Sequence, residues 1–214
     1  MKPQFVHVSE IDQAMEALKL SVDLLDGVVD DPRQWRWIML VLHQAAQGFM
    51  VCALTGSDGT RPLNHKKKEV KEYVAALRSI SVTGQYPEMP QKALDSFMNL
   101  YRKVKSRQMM RQFTTSREFL APSVDFDRSV CMLNDLRNEF QHFTPGKWSI
   151  EVAVFVDPAR AAFELIKFLA FDSQNIVWRK YDQEEELRAE AEQLVERGLV
   201  LVTDVEEVTC LKSG

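Results

Sequence analysis

Apolar residues recur along most of this chain every three or four positions, the period of helices that bury one face. Ser9 stands as an N-cap before the acidic first turn of EIDQAMEALKLSVDLL, which sets Ile11, Met15, Leu18, Val22 and Leu25 on one side and can close at Gly27. Asp31 and Pro32 signal the next start, DDPRQWRWIMLVLHQAAQGFMVCAL, which is apolar on nearly all sides and so reads as a central helix. After the loop TGSDGTRPLNH, Asn64 is placed to cap HKKKEVKEYVAALRSIS, with a stripe of Val70, Tyr73, Val74 and Leu77. TGQYPEMP breaks the chain again, and Pro90 opens QKALDSFMNLYRKVKSRQMMRQF. Ser123 or Asp125 then begins a helix that runs to a stop at Pro145 and Gly146.

One segment departs from this period. In WSIEVAVFVDP, the β-branched Ile150, Val152, Val154 and Val156 alternate with other residues, which predicts a strand or extended segment before the helix PARAAFELIKFLAF. A last helix, DQEEELRAEAEQLVERG, is expected to end at Gly198, with LVLV after it as a second short strand. The expected fold is therefore all-α, a helical bundle with a short extended segment towards the C-terminal side. At 214 residues and 45% hydrophobic content the chain can bury a sizeable core. Residues 1–171 are expected to form one helical domain, with 172–214 a C-terminal helix and tail packed on it.

Charge narrows the partners. A net charge of −4 argues against coating nucleic acid by bulk electrostatics, so any such contact needs a local basic patch. The densest is YRKVKSRQMMR, which offers Arg102, Lys103, Lys105, Arg107 and Arg111 as an RNA-backbone surface; the competing reading is a solvated helix face. Lys66, Lys67 and Lys68 at a helix start hint at a nearby anion, because the helix dipole disfavours cations there. Cys52, Cys131 and Cys210 form no Cys-x-x-Cys pair and read as reduced thiols, the first two as small core residues. The four histidines show no paired ligand spacing and GSDGT lacks the lysine of a phosphate loop, so no metal or cofactor is expected. WIMLVLHQAAQGFMVCAL approaches bilayer length, but His43, Gln44, Gln47 and Gly48 interrupt it, which suits a buried core helix better than a membrane span. The opening MKPQFVHVSEIDQ has no apolar run of a secretory signal, and a cytoplasmic protein is expected. Trp35 and Trp37 are expected to serve core and interface packing.

The stretch LNDLRNEFQHFTP carries the most chemistry. At about 100° per residue, Phe126, Val130, Leu133, Leu136, Phe140 and Phe143 share one side of its helix, and Asp135 and Glu139 fall on another. Between them lies a strip of Asn134, Asn138, Gln141 and His142, with Arg137 at its border. Asn138 and His142 stack at i, i+4, whereas Arg137 reaches them only through its length. The strip holds donors and no carboxylate, which suits an anion. His43 and Gln47, also i, i+4, read either as a second polar layer opening into the same cleft or as a buried pair satisfied by a neighbour.

RNEFQH, Arg137 to His142, resembles the Arg-x4-6-His motif of the HEPN superfamily, with Asn138 as the polar residue that often follows the arginine. FTPGKWSIEV after it is similar to the tail of this helix in bacterial HEPN-like proteins, and the resemblance spans Ser9 to Phe171. It implies a HEPN-like bundle and a metal-independent endoribonuclease of the toxin or anti-phage defence class, cutting through the substrate's own 2′-hydroxyl. Arg137 would then hold the phosphate and His142 would act as general acid or base, while Asn138 would orient His142 or donate to a phosphate oxygen. It further implies a homodimer that joins two motif helices in one cleft, RNA as substrate, and an antitoxin or regulatory protein as partner. The alternative is a HEPN-like bundle that no longer cuts and serves as a binding or dimerisation module; a helical scaffold without a nucleic-acid role is the third.

Overall fold

A computed structural model describes residues 8–56, 59–84, 87–111, 119–142, 149–178 and 184–212. The described residues form eight α-helices and no strand: α1 (Glu10–Asp26), α2 (Trp35–Thr55), α3 (Lys68–Thr83), α4 (Phe97–Val104), α5 (Arg107–Met110), α6 (Val124–His142), α7 (Ala153–Lys167) and α8 (Glu184–Lys212). A 3-10 turn, Pro32–Gln34, leads into α2, and a π-helical turn, Phe168–Asp172, continues α7. The all-α expectation holds.

Helix α1 starts where its sequence signals place it. The Ser9 hydroxyl accepts the Asp12 backbone N–H at 3.2 Å, and Glu10 and Asp12 put negative charge against the positive end of the dipole. Helix α2 is the hub, packed against α1, α4, α6 and α7. Ile38, Met39, Leu42, Ala45, Ala46, Phe49, Met50, Ala53 and Leu54 are all buried along it. Pro32–Thr55 is long and apolar enough to cross a membrane, but 56% of its apolar window is buried in the chain's own core. Gly48 sets the α1–α2 approach: a Cβ there would lie 2.7 Å from the Ala14 Cβ.

Four sequence expectations fail. Residues 149–158 form no strand: the chain is helical from Ala153, and Phe155, Val156, Ala159, Ala162 and Phe163 are buried at helical spacing. The same valines fit either period, and stacking of Trp35 on Phe155 (ring centroids 5.3 Å apart) rewards the helical one. Pro158 sits inside α7, where it has no N–H to donate to the carbonyl of Val154, an exposed residue. Gly198 does not end α8, and LVLV is helical, not a second strand. Gly198 instead admits Phe163, whose ring would stand 2.3 Å from an added Cβ. Helix α8 lies on α7 and α1, burying Ala191, Val195, Val202 and Val205, with Arg197 paired to Asp26 of α1 at 2.5 Å.

The third failure matters for function. Pro90 opens no helix: residues 87–95 run irregularly, with one bridge between Leu63 and Leu94, and α4 begins at Phe97 behind the Ser96 cap. Asn64 likewise caps no helix directly; its side chain accepts the Lys66 N–H in the turn that precedes α3. Leu63, Val70 and Tyr73 form a small separate core under α3.

Candidate functional site

On α6, Val130, Leu133, Leu136 and Phe140 are buried, Phe126 is partly buried against the core, and Phe143 lies outside the described residues, as do Pro145 and Gly146. Asp135 and Glu139 are exposed. Cys131 is exposed rather than core, because it falls on the polar strip three positions before Asn134. Cys52 is half-buried, and burial, helped by the Glu10 carboxylate, pushes its thiol up to about 12. It is not a nucleophile near neutral pH.

The Arg137 guanidinium is partly buried and donates to Asn138 Oδ1 at 2.9 Å. Among the described residues no carboxylate pairs with Arg137. Arg137 stands between two depressions. The larger, about 530 Å³, opens between α1, α2 and α6 and is lined by Glu10, Gln44 and Gln141 among others. The smaller, about 420 Å³, lies between α2, α6 and the start of α4, walled by Asp95, Ser96, Phe97, Asn134 and Asn138. His43, Gln47 and Arg137 line both.

His43 is the residue that sequence reasoning undervalued. It is 3% exposed, its ring stacks on Phe97 with centroids 4.0 Å apart, and its Nε2 is shielded from solvent with no hydrogen-bond partner among the described residues. Burial, reinforced by the Arg137 charge and opposed by Asn134, lowers its pKa to about 4, so the imidazole is neutral at physiological pH. His43 and Gln47 line both depressions, and the His43 side chain is at the same time buried.

His142 is placed differently. It is exposed on the last turn of α6 and lines neither depression, so within one chain it does not join Arg137 and Asn138. Arg137, Asn138, Asn134, His43 and Gln47 come together; Gln141 reaches the larger cleft only.

The basic stretch is largely occupied. Lys103 pairs with the buried Asp95 at 2.8 Å and donates to the Arg61 and Leu63 carbonyls at 2.9 Å. Burial would raise the Asp95 carboxyl, but Lys103, Asn99 and the Ser96 N–H outweigh it and hold it below the usual range. Lys105 pairs with Asp127 at 2.8 Å and sits 5.0 Å over the Tyr101 ring. Arg102, Arg107 and Arg111 stay exposed, with Arg102 bonded to Asn99 and Arg107 over the Phe119 ring. No group of three or more His, Cys, Asp or Glu suited to a metal occurs among the described residues.

Compared with protein-family models, curated proteins and solved structures, the chain matches none.

Proposed function

We propose that the protein is a HEPN-type, metal-independent endoribonuclease whose working site is completed by a second copy of the chain. The observation that carries this reading is Arg137: a partly buried cation with no carboxylate partner among the described residues, bonded to Asn138 in the wall of a donor-lined cavity. Such a guanidinium can hold a phosphodiester through two parallel N–H bonds and stabilise the charge that builds as phosphorus becomes five-coordinate. The RNA 2′-hydroxyl loses its proton to a base and bonds to phosphorus, the bond to the 5′-oxygen breaks, and that oxygen takes a proton. The products are a 2′,3′-cyclic phosphate and a 5′-hydroxyl. His142 moves the proton. Because it is solvent-exposed and away from Arg137's cavity, it meets the phosphate when two α6 helices face each other in a HEPN-like twofold arrangement.

A homodimer is thus part of the function, with an antitoxin or regulatory protein as the class of partner that would hold it in check in the cytoplasm. Cleavage of a labelled RNA by the purified chain in EDTA, ending in a cyclic phosphate and lost in His142→Ala and Arg137→Lys, is the expected result. The position of His142 also favours a second reading, a bundle that binds RNA or protein without cutting. Intact RNA after prolonged incubation with a dimeric wild type selects it.

A further inference from the structure

The outer face of α1 and α2 carries apolar side chains that the core does not use. Leu20 stands about 180° around α1 from the core stripe Ile11, Met15, Leu18, Val22 and Leu25. It is 47% exposed. Trp37 and Val41, at i and i+4, share an outward row of α2 with Gln44. Trp37 is 53% exposed although the Arg36 guanidinium lies 5.0 Å over its ring, and Val8, just before α1, is 59% exposed. Val8, Ala17, Leu20 and Val41 line a groove of about 700 Å³ to which α6 contributes no residue. Apolar side chains gathered in one exposed groove mark an interaction site, whereas singly scattered ones need no explanation.

Charge selects the occupant. Asp12, Glu16 and Asp23 line the same groove with a single cation, Lys19, and the four form one row along α1 at i, i+4, i+11 and i+7. A rim with this excess of carboxylates repels an RNA backbone and an anionic lipid surface. Two copies of the face, related by a twofold axis, would bring two net-negative rows together, so the face does not complement itself.

We propose that this groove binds a basic amphipathic helix of another protein. Its apolar stripe lies on Leu20, Val41 and Trp37, and its lysines or arginines run along the acidic row of α1. A helix laid in a groove anchors through residues at i, i+3, i+4 and i+7, and Asp12 to Asp23 spans about 16 Å, the length of roughly three helical turns. Leu20 and Trp37 supply the apolar contacts that hold the helix, while the carboxylates speed its approach and fix its register. The surface uses neither Arg137, His43 nor His142, and it stands whether or not RNA is cut.

The test titrates the full chain with a synthetic peptide of about 14 residues, roughly four helical turns, with leucine at i, i+3, i+4 and i+7 and lysine elsewhere. A second peptide carries glutamate in place of lysine. The lysine peptide should bind saturably, one per chain and more weakly as salt rises, and the glutamate peptide should not bind. Leu20→Asp should weaken binding by about tenfold or more. Glu16→Lys combined with Asp23→Lys should weaken it by roughly tenfold at low salt and flatten the salt dependence. Val200→Asp, at an equally exposed apolar position of α8, should leave it unchanged. Should Leu20→Asp not fold, Trp37→Ala makes the same measurement. No saturable binding, equal binding of both peptides, or unchanged affinity in Leu20→Asp overturns the proposal. A mass that grows with protein concentration and is suppressed by Glu16→Lys with Asp23→Lys overturns it as well, because the groove would then hold a basic segment of another copy. Peptide binding by a protein that never cuts RNA keeps this surface and removes the ribonuclease reading; RNA cleavage by a protein that ignores the peptide does the reverse.

Discussion

Acid should weaken the folded protein through His43, and the size of the effect follows from its burial. The unfolded chain's imidazole titrates near the ordinary 6.5 and the folded one at about 4. Between those values the unfolded chain holds more protons, so stability falls as pH drops through that window and is unaffected by this residue above it. The gap of roughly 2.5 pH units, at about 1.4 kcal/mol each, corresponds to about 3 kcal/mol lost by pH 4 and about 2 kcal/mol by pH 5. Urea denaturation at pH 7 and pH 5 reads it directly. Wild type should lose about 2 kcal/mol more than His43→Leu across that interval, since the variant has the volume but no proton site. Arg137→Gln should lose less than wild type, because the second cause of the depressed value is gone. Equal losses in wild type and His43→Leu would refute the burial of a neutral imidazole at this position.

Other outcomes follow from single contacts. Gly198→Ala places a methyl against the Phe163 ring and should cost about 1–3 kcal/mol by thermal denaturation; an unchanged Tm would mean that α8 does not approach α7 so closely. Lys103→Met strands the buried Asp95 and should cost about 3 kcal/mol at pH 7, with part of the loss recovered in acid as the carboxyl protonates. Gln at Arg102, Arg107 and Arg111 should weaken RNA binding about equally for all sequences and flatten its salt dependence, whereas Lys105→Gln, whose charge is held by Asp127, should leave both unchanged. Unaltered binding in the triple variant would move the RNA surface to Lys66–Lys68.

Periodicity made most of the bundle readable because one buried face is a strong local signal. Ser9 and the stripe Ile11–Leu25 placed α1, and the polar strip of α6 lay where the 100° spacing put it. The errors share a cause: local pattern does not report what tertiary contact selects. Val152, Val154 and Val156 satisfy a strand period and nearly a helical one, and only Phe155 meeting Trp35 decides between them. Gly198 looks like a stop in sequence and is a close approach in the fold. Placing a helix start at Pro90 instead of Phe97 hid the fact that Asp95 and Ser96 face α6, and with it the cavity. Arg137 and Asn138 stood out on the polar strip of α6; that His43, 94 positions away on α2, lines the same cavity could not be read from its i, i+4 spacing to Gln47, which fits a buried pair equally well.

Whether α6 meets α6 of a second chain is the direct test of the composite ribonuclease site, and Cys131 offers the probe. It is exposed on the same strip as Asn134 and Asn138, at positions i, i+3 and i+7 of α6. In a Cys210→Ser background, with Cys52 half-buried and its thiol proton firmly held, a short bis-maleimide should join two chains through Cys131 into a covalent dimer. That dimer should form in step with the mass seen by light scattering at micromolar concentration, and Cys131→Ser should prevent it. A monomeric protein, or a stable dimer that Cys131 never bridges, would contradict a site built from two facing α6 helices.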